Sequence, residues 1–423
     1  MNVLPWVPAT NIYEVNIRQY TPEGSFNAFR AHLPRLRDLG VETLWFMPIT
    51  PISRKGRLGT LGSYYACSDY TAVNPEYGTL DDFRSLVQEA HRLGFKVIID
   101  WVANHTGQDH RWTTEHPEFY KHNAQGNFYD DHGWEDVIDL DYNSAALREA
   151  MIGAMRFWID QCDIDGFRCD MAMLVPLDFW RQARTALDIP KPLFWLAECE
   201  EPAYHAVFDA TYTWKMLHKM EDYWRKATDI DGLYTVLREY QEQFPPNAIR
   251  TFFTSNHDEN SHSGSEYERL GDATLPFAVL CATWNGIPMV YSGQELPNKK
   301  RLKFFDKDQI DWQSPCALHD FYKTLLMLKK ENPALRAGDS AVNTVILPNN
   351  ADHQTMSFLR RNGQREVLVL LNLSAQPVQL KINSPELKGY FGEVFSGEKI
   401  TIGENTVFEL PAWGYGVYKK DDR

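Results

Sequence analysis

Three acids stand at the ends of short apolar runs. Asp170 ends Gly166-Phe167-Arg168-Cys169-Asp170, Glu198 ends the run Leu193–Glu198, and Asp258 follows Phe253-Thr254-Ser255-Asn256-His257. Two carboxyl groups facing one small gap suit retaining glycoside hydrolysis, in which one attacks and the other gives and takes a proton. Arg168 and Asp170 are two residues apart, so on a strand they share a face. A guanidinium there is expected to hold Asp170 ionised, as a nucleophile needs to be. Each residue alone has a plainer use. A strand-end Asp is often a helix N-cap, an Arg-x-Asp pair is often structural, and a lone His105 or His257 is usually a satisfied polar group. The joint pattern of three acids, two histidines and an arginine at ordered strand ends outweighs those uses.

Such a pattern needs elements to hold it. Short β-rich runs alternate with helical stretches from residue 12 to about 330, at Ile12–Ile17, Thr43–Pro48, Lys96–Trp101, Gly166–Asp170, Leu193–Glu198, Val207–Ala210, Arg250–Ser255 and Met289–Tyr291. Apolar stripes such as Phe83, Leu86, Val87 and Ala90, or Met151, Met155, Trp158 and Ile159, mark the helices between them. Strand–helix alternation implies parallel pairing, because each crossover needs a long connection. Eight units predict an α/β fold, a closed (β/α)₈ TIM barrel whose catalytic groups sit at the C-terminal strand ends. A doubly wound open sheet is the alternative, but the chain lacks a Gly-rich phosphate loop. The segment 105–142 is too long and aperiodic for a plain connection and reads as an excursion domain after strand three. The barrel then comprises 1–104 and 143–337. From 338 to 423, strand-like runs separated by Asn, Gly, Ser and Pro predict an antiparallel β-sandwich.

Composition narrows the partners. The net charge of −14 disfavours nucleic acid and anionic membranes, and no run of about 18 apolar residues reads as a membrane helix. The 13 Trp and 20 Tyr would serve a sugar cleft, though large cores also consume them. Six scattered cysteines form no CxxC pair and lean towards a reducing compartment. With no basic start and no apolar stretch after it, the N-terminus points to a cytoplasmic location or a removed leader. His110, His116, His122 and His132 have no metal spacing and read as a solvated loop.

At the strand-end motifs the chain resembles the α-amylase family, glycoside hydrolase family 13. The resemblance rests on Asp100-Trp101-Val102-Ala103-Asn104-His105, on the segments around Asp170, Glu198 and Asp258, and on three flanking stretches, Leu44–Ile49, Asp69–Thr79 and Gly286–Glu295. It implies a retaining α-glucan hydrolase that cleaves α-1,4-glucosidic bonds of starch-type polysaccharides or maltooligosaccharides through a covalent intermediate. Glucanotransferase, cyclomaltodextrinase or α-glucosidase activity on the same site are the alternatives. It implies Asp170 as nucleophile, Glu198 as acid/base and Asp258 as the third acid on the sugar hydroxyls. It further implies Arg168 orienting Asp170, His105 and His257 binding hydroxyls, and Tyr65 stacking on the sugar. No organic cofactor is expected. Asn104 and Asp139 match calcium ligands of many relatives, weighed evenly against loop hydrogen bonding. One departure stands out: Met173 and Leu174 replace a Lys and a His that many members carry after the nucleophile, leaving contacts to the leaving-side sugar open.

Overall fold

The computed structural model describes residues 4–189, 191–385 and 387–421. In chain order the first strands are β1 (Ile12–Val15), β2 (Thr43–Phe46), β3 (Lys96–Trp101), β4 (His105–Gly107), β5 (Val137–Asp139), β6 (Gly166–Cys169), β7 (Phe194–Ala197), β8 (Ala210–Tyr212), β9 (Ile249–Phe252) and β10 (Ile287–Tyr291). Eight of them close a parallel barrel in the order β1-β2-β3-β6-β7-β8-β9-β10, with β10 back against β1. The predicted α/β barrel is therefore what forms. Its strands are buried along almost their whole length, because helices cover the outside and side chains fill the inside.

The helices follow from the apolar stripes. In Leu80–Arg92, Thr79 and Asp82 make a reciprocal capping box, and Phe83, Leu86, Val87 and Ala90 are buried. In Ala145–Cys162 the same holds for Met151, Met155, Trp158 and Ile159, and Asp163 stops the helix in a left-handed conformation. Gly166, at the head of β6, is required by close approach: a Cβ there would lie 2.0 Å from the Phe194 carbonyl oxygen.

Most barrel strands start or stop a few residues from the expected bounds, and at the sixth and first strands the cause is visible. The sixth barrel strand was expected at Val207–Ala210 but runs Ala210–Tyr212. Pro202–Ala206 winds into a 3₁₀ turn, and the Asp209 carboxylate accepts the Trp195 N–H at 2.9 Å. Pairing with β7 starts only at Leu196↔Ala210. The first strand stops at Val15, because the Asn16 side chain accepts the Gln19 N–H and starts a helical turn.

The excursion after β3 is anchored by an antiparallel pair, β4 with β5, in register His105↔Asp139. One member of its histidine group contradicts the solvated-loop reading. His110 is fully buried between Tyr70 and Trp112, and burial lowers its pKa to about 3. His116, His122 and His132 are exposed as expected.

The C-terminal strands are β11 (Asn343–Ile346), β12 (Thr355–Asn362), β13 (Arg365–Asn372), β14 (Val378–Lys381), β15 (Gly389–Glu393), β16 (Lys399–Ile402), β17 (Val407–Leu410) and β18 (Tyr415–Lys420). The edge strand β16 was not anticipated from the sequence. A six-stranded antiparallel sheet, β11-β12-β13-β18-β15-β16, is covered on one side by the pair β14-β17. Alternation does the sorting. Val367, Val369 and Leu371 of β13 join the barrel core, whereas Leu368 and Leu370 join a second cluster with Leu380, Phe408 and Leu410. Among the described residues no helix is long and apolar enough to cross a membrane.

Candidate active site

A cavity of about 540 Å³ opens at the C-terminal mouth of the barrel. Its walls include Tyr65, His105, Asp170, Glu198 and Asp258. β3, β6, β7 and β9 each end below it, as the strand-end reading requires.

Arg168 is the centre of the floor. Its side chain is wholly buried, with Nη1 2.9 Å from Asp100 Oδ1 and 3.0 Å from Asp170 Oδ1, and Nη2 2.8 Å from Glu198 Oε2. Two nitrogens of one guanidinium thus bring Asp170 and Glu198 to one wall, the first by a hydrogen bond and the second by an ion pair alone. Glu198 Oε2 also accepts the Met171 N–H at 2.9 Å. Met171 adopts φ 39°, an uncommon region for a side chain of its kind, at the residue after Asp170. That turn, of the sort that costs about 1–3 kcal/mol, aims the backbone donor at the second acid.

One electrostatic expectation is corrected. Arg168 was expected to lower the Asp170 pKa. Instead burial, reinforced by the negative charge of Glu198, raises it well above the ordinary carboxylate value, with Arg168 opposing. Burial raises Glu198 too, again against Arg168. A single guanidinium shared by three carboxylates cannot neutralise all of them. Both carboxyl groups are therefore easier to protonate than free acids, and two such close groups titrate together. Asp258 differs. Burial raises its pKa, but the His257 contact overrides this and brings it down to about 2.

The histidines and the tyrosine are all at the mouth. His257 Nε2 is 2.7 Å from the Tyr65 hydroxyl and 3.3 Å from Asp258 Oδ2, and its ring stacks on Tyr65 at 5.3 Å. Tyr65 donates to Asp100 Oδ2 at 3.0 Å. His105 is buried, its pKa lowered to about 4 by desolvation. Its Nδ1 accepts from the Asn104 amide at 3.2 Å, which leaves the proton on Nε2.

Sequence reasoning missed Glu14. This β1 residue is fully buried, and His257 Nδ1 donates to its Oε1 at 2.5 Å. A charged residue within the apolar run Ile12–Val15 was the available signal. Asp100, Trp134, His262, Phe304 and Phe305 also belong to the floor or walls; the last four lie in segments with no periodic pattern to place them. Met173 and Leu174 lie on the 3₁₀ turn Ala172–Leu174 and are half-buried.

The proposed calcium residues do not fit a calcium ion. Asn104 and Asp139 are adjacent but satisfy each other, with the Asn104 amide donating to Asp139 Oδ1 at 3.3 Å. Asp139 Oδ2 takes the Lys121 ammonium at 2.9 Å and the Asp131 N–H at 3.2 Å, and Lys121 also reaches Asp131 at 2.7 Å. A protein cation already stands where the ligand set would need a metal, and calcium would require six to eight oxygens. Among the described residues no group of three or more His, Cys, Asp or Glu side chains converges as a metal site would require.

Comparison with known proteins places these features in a context. Residues 13–136 and 118–313 match the family described as alpha amylase, catalytic domain, and 344–417 match the maltogenic amylase C-terminal domain. A maltogenic alpha-amylase from Thermotoga neapolitana superposes with a TM-score of 0.90 at 28% identity, over 98% of this chain and 99% of that one. An alpha-amylase from Lactobacillus plantarum gives 0.87 at 29%, over 98% and 99%. Alpha-amylase MalA of Haloarcula japonica is 24% identical over 88% of this chain but 56% of its own length. The chain spans about half the length of the curated relatives it matches first, or less.

Proposed function

The chain belongs to the α-amylase family, and on that premise we propose that it cleaves α-1,4-glucosidic bonds of α-glucans or maltooligosaccharides with retention of configuration. One observation carries the reading: Asp170 and Glu198 are held by neighbouring nitrogens of the buried Arg168 at the wall of one cavity that Asp258 also lines. Burial raises the pKa of both acids, a direction that favours keeping a proton on the pair for general-acid work.

In this reading Asp170, the ionised partner, attacks the anomeric carbon as Glu198 protonates the departing glycosidic oxygen. The C–O bond to the leaving sugar breaks and a glycosyl ester to Asp170 forms. Glu198, now a carboxylate, removes a proton from water, whose oxygen attacks the same carbon and releases Asp170. The Met171 N–H stabilises the Glu198 carboxylate in this second half. Asp258, ionised to low pH, accepts hydroxyl hydrogen bonds that strengthen as charge develops on the ring. His105 and His257 bind hydroxyls, and Tyr65 gives the ring a flat apolar partner.

The test is to incubate the protein separately with maltoheptaose, pullulan and a cyclodextrin and to identify products and their anomeric form. Shorter sugars, initially in the α configuration, are expected. Oligosaccharides longer than the substrate would assign the site to transfer, and β-anomeric products would defeat retention.

A further inference from the structure

Outside the walls of the catalytic cavity, one buried acid stands without an ion pair among the described residues. Glu266 opens the short helix Glu266–Leu270 and is 2% exposed. Its Oε2 accepts the Thr254 hydroxyl at 2.7 Å and the Gln294 amide at 2.5 Å. Its Oε1 is buried and has no hydrogen-bond partner among the described residues. Arg269, on the same helix, is spent elsewhere: it donates to Glu221 Oε1 at 2.6 Å and to the backbone oxygens of Thr254 and Gly264. A carboxyl group so placed is costly to ionise. Burial raises its pKa to about 7, against its two hydrogen bonds and the Arg269 charge. The groups packed around it are neutral near that pH. Tyr267 beside it, Cys281 of the helix Thr274–Thr283 and Tyr322 of the helix His319–Glu331 all have pKa values raised by burial. The remaining charges, Glu221 and Glu259, face Arg269 at 2.6 and 3.7 Å.

The place of this acid links three strand ends. Thr254 follows β9 and stands four residues before Asp258. Gln294 follows β10; its amide nitrogen reaches both Glu266 Oε2 and the Thr254 hydroxyl, and its oxygen accepts the Tyr291 N–H at 2.7 Å. Ser292 then donates to the Glu14 carbonyl oxygen of β1 at 2.6 Å, and the Glu14 side chain holds His257. Loss of the Glu266 proton would leave charge on an oxygen that no donor and no water meets, so only movement of the acid could relieve it. We infer that Glu266 is a positioning residue for the cleavage: as a neutral acid it locks the end of β9 to the turn after β10, and its ionisation loosens that lock and shifts His257 and Asp258. This rests on the proposed glucanase reading and deepens it, since it gives the site a pH control outside the acids that meet the sugar.

The experiment compares Glu266→Gln, which keeps the shape and removes the charge, with the wild type from about pH 5 to about pH 8.5. A raised pKa in the folded state means that the unfolded chain ionises first, so wild-type stability is lost as pH climbs from the ordinary glutamate range to about 7. Across the range the melting temperature of the variant should therefore gain about 2–4 °C on that of the wild type, whatever the offset at low pH. Its kcat/KM on maltoheptaose, relative to the wild type, should rise about tenfold as the alkaline limb moves to higher pH. Thr254→Val withdraws a donor from the carboxylate, so it should raise the Glu266 pKa further and move the limb in the same direction. Parallel profiles of Glu266→Gln and wild type in both readouts would overturn the role of Glu266 and leave the active-site reading standing. A melting gap that moves with pH beside activity profiles that do not would make Glu266 a buried structural acid and overturn the positioning. A wild type that cleaves no glucan at any pH would overturn both readings.

Discussion

Arg168 touches Asp100, Asp170 and Glu198 with its side chain wholly buried, whereas Lys121 touches Asp131 and Asp139 with 31% of its side chain in solvent. At the barrel mouth acids outnumber the cation three to one and water is scarce. Burial then dominates, and the pKa values of Asp100, Asp170 and Glu198 all rise. In the excursion two acids share one cation and water reaches them. There the ammonium contact dominates for Asp131 and lowers its pKa, and although burial pulls Lys121 down, its two acid partners leave it raised. The same pairing of cation and carboxylate thus leaves raised acids in one place and a fastened ion pair in the other. The local ratio of charges and the access of water decide which.

The contrast can be broken at several points. Asp170→Asn should cost the largest effect, a fall of about 10⁴-fold or more in kcat, with the circular dichroism spectrum unchanged. Near-full activity in that variant would remove Asp170 from the chemistry.

Glu14→Gln comes next. Burial lowers the His257 pKa, but Asp258 and Glu14 outweigh it, and the result lies well above the usual histidine value. Arg168, Asp100 and Glu198 from the neighbouring strands complete its electrostatic surroundings. A raised pKa keeps the imidazolium as pH rises, so removing the Glu14 charge should bring the alkaline limb of kcat/KM to lower pH. A charge-assisted hydrogen bond is worth about 1.5–3 kcal/mol, so kcat/KM should drop roughly 10- to 100-fold. An unaltered pH profile would mean that Glu14 is already neutral and only packs.

Lys121→Met should leave chemistry nearly intact and instead cost stability, because Asp139 would remain buried without its ammonium. Full burial would give about 3–5 kcal/mol. With a partly exposed lysine, about 2 kcal/mol is expected, seen as a melting temperature lower by about 2 °C in a chain of this size. The smallest effect sharpens the same point: a chelator such as EDTA should shift neither the melting temperature nor the activity of the wild type. A clear loss on chelation would return a metal to Asn104 and Asp139.

Much of this was legible in the sequence, for physical reasons. Strand ends in a parallel barrel converge, so Asp170, Glu198 and Asp258 could be brought together from order alone. Helical stripes such as Phe83-Leu86-Val87-Ala90 carried their own period. What stayed hidden depended on charge counts in three dimensions. Arg168 read as a private partner of Asp170, because the sequence does not reveal that Asp100 and Glu198 draw on the same guanidinium. Lys121 lies 18 residues before Asp139, in a loop with no period to link them. His110 read as solvated because its loop carries no metal spacing and no period, whereas in space the ring packs between Tyr70 and Trp112.

The six-stranded C-terminal sheet has no wet face in its middle. Met356, Phe358, Val367 and Val369 belong to the barrel core, Trp284 packs its ring against Phe358 at 4.8 Å, and the Tyr234 hydroxyl accepts the Ser357 N–H at 3.2 Å. A layer glued on both sides cannot melt independently of its substrate. Heating should therefore take barrel and sheet apart in one cooperative step, with the sheet acting as a clamp on the barrel's helices.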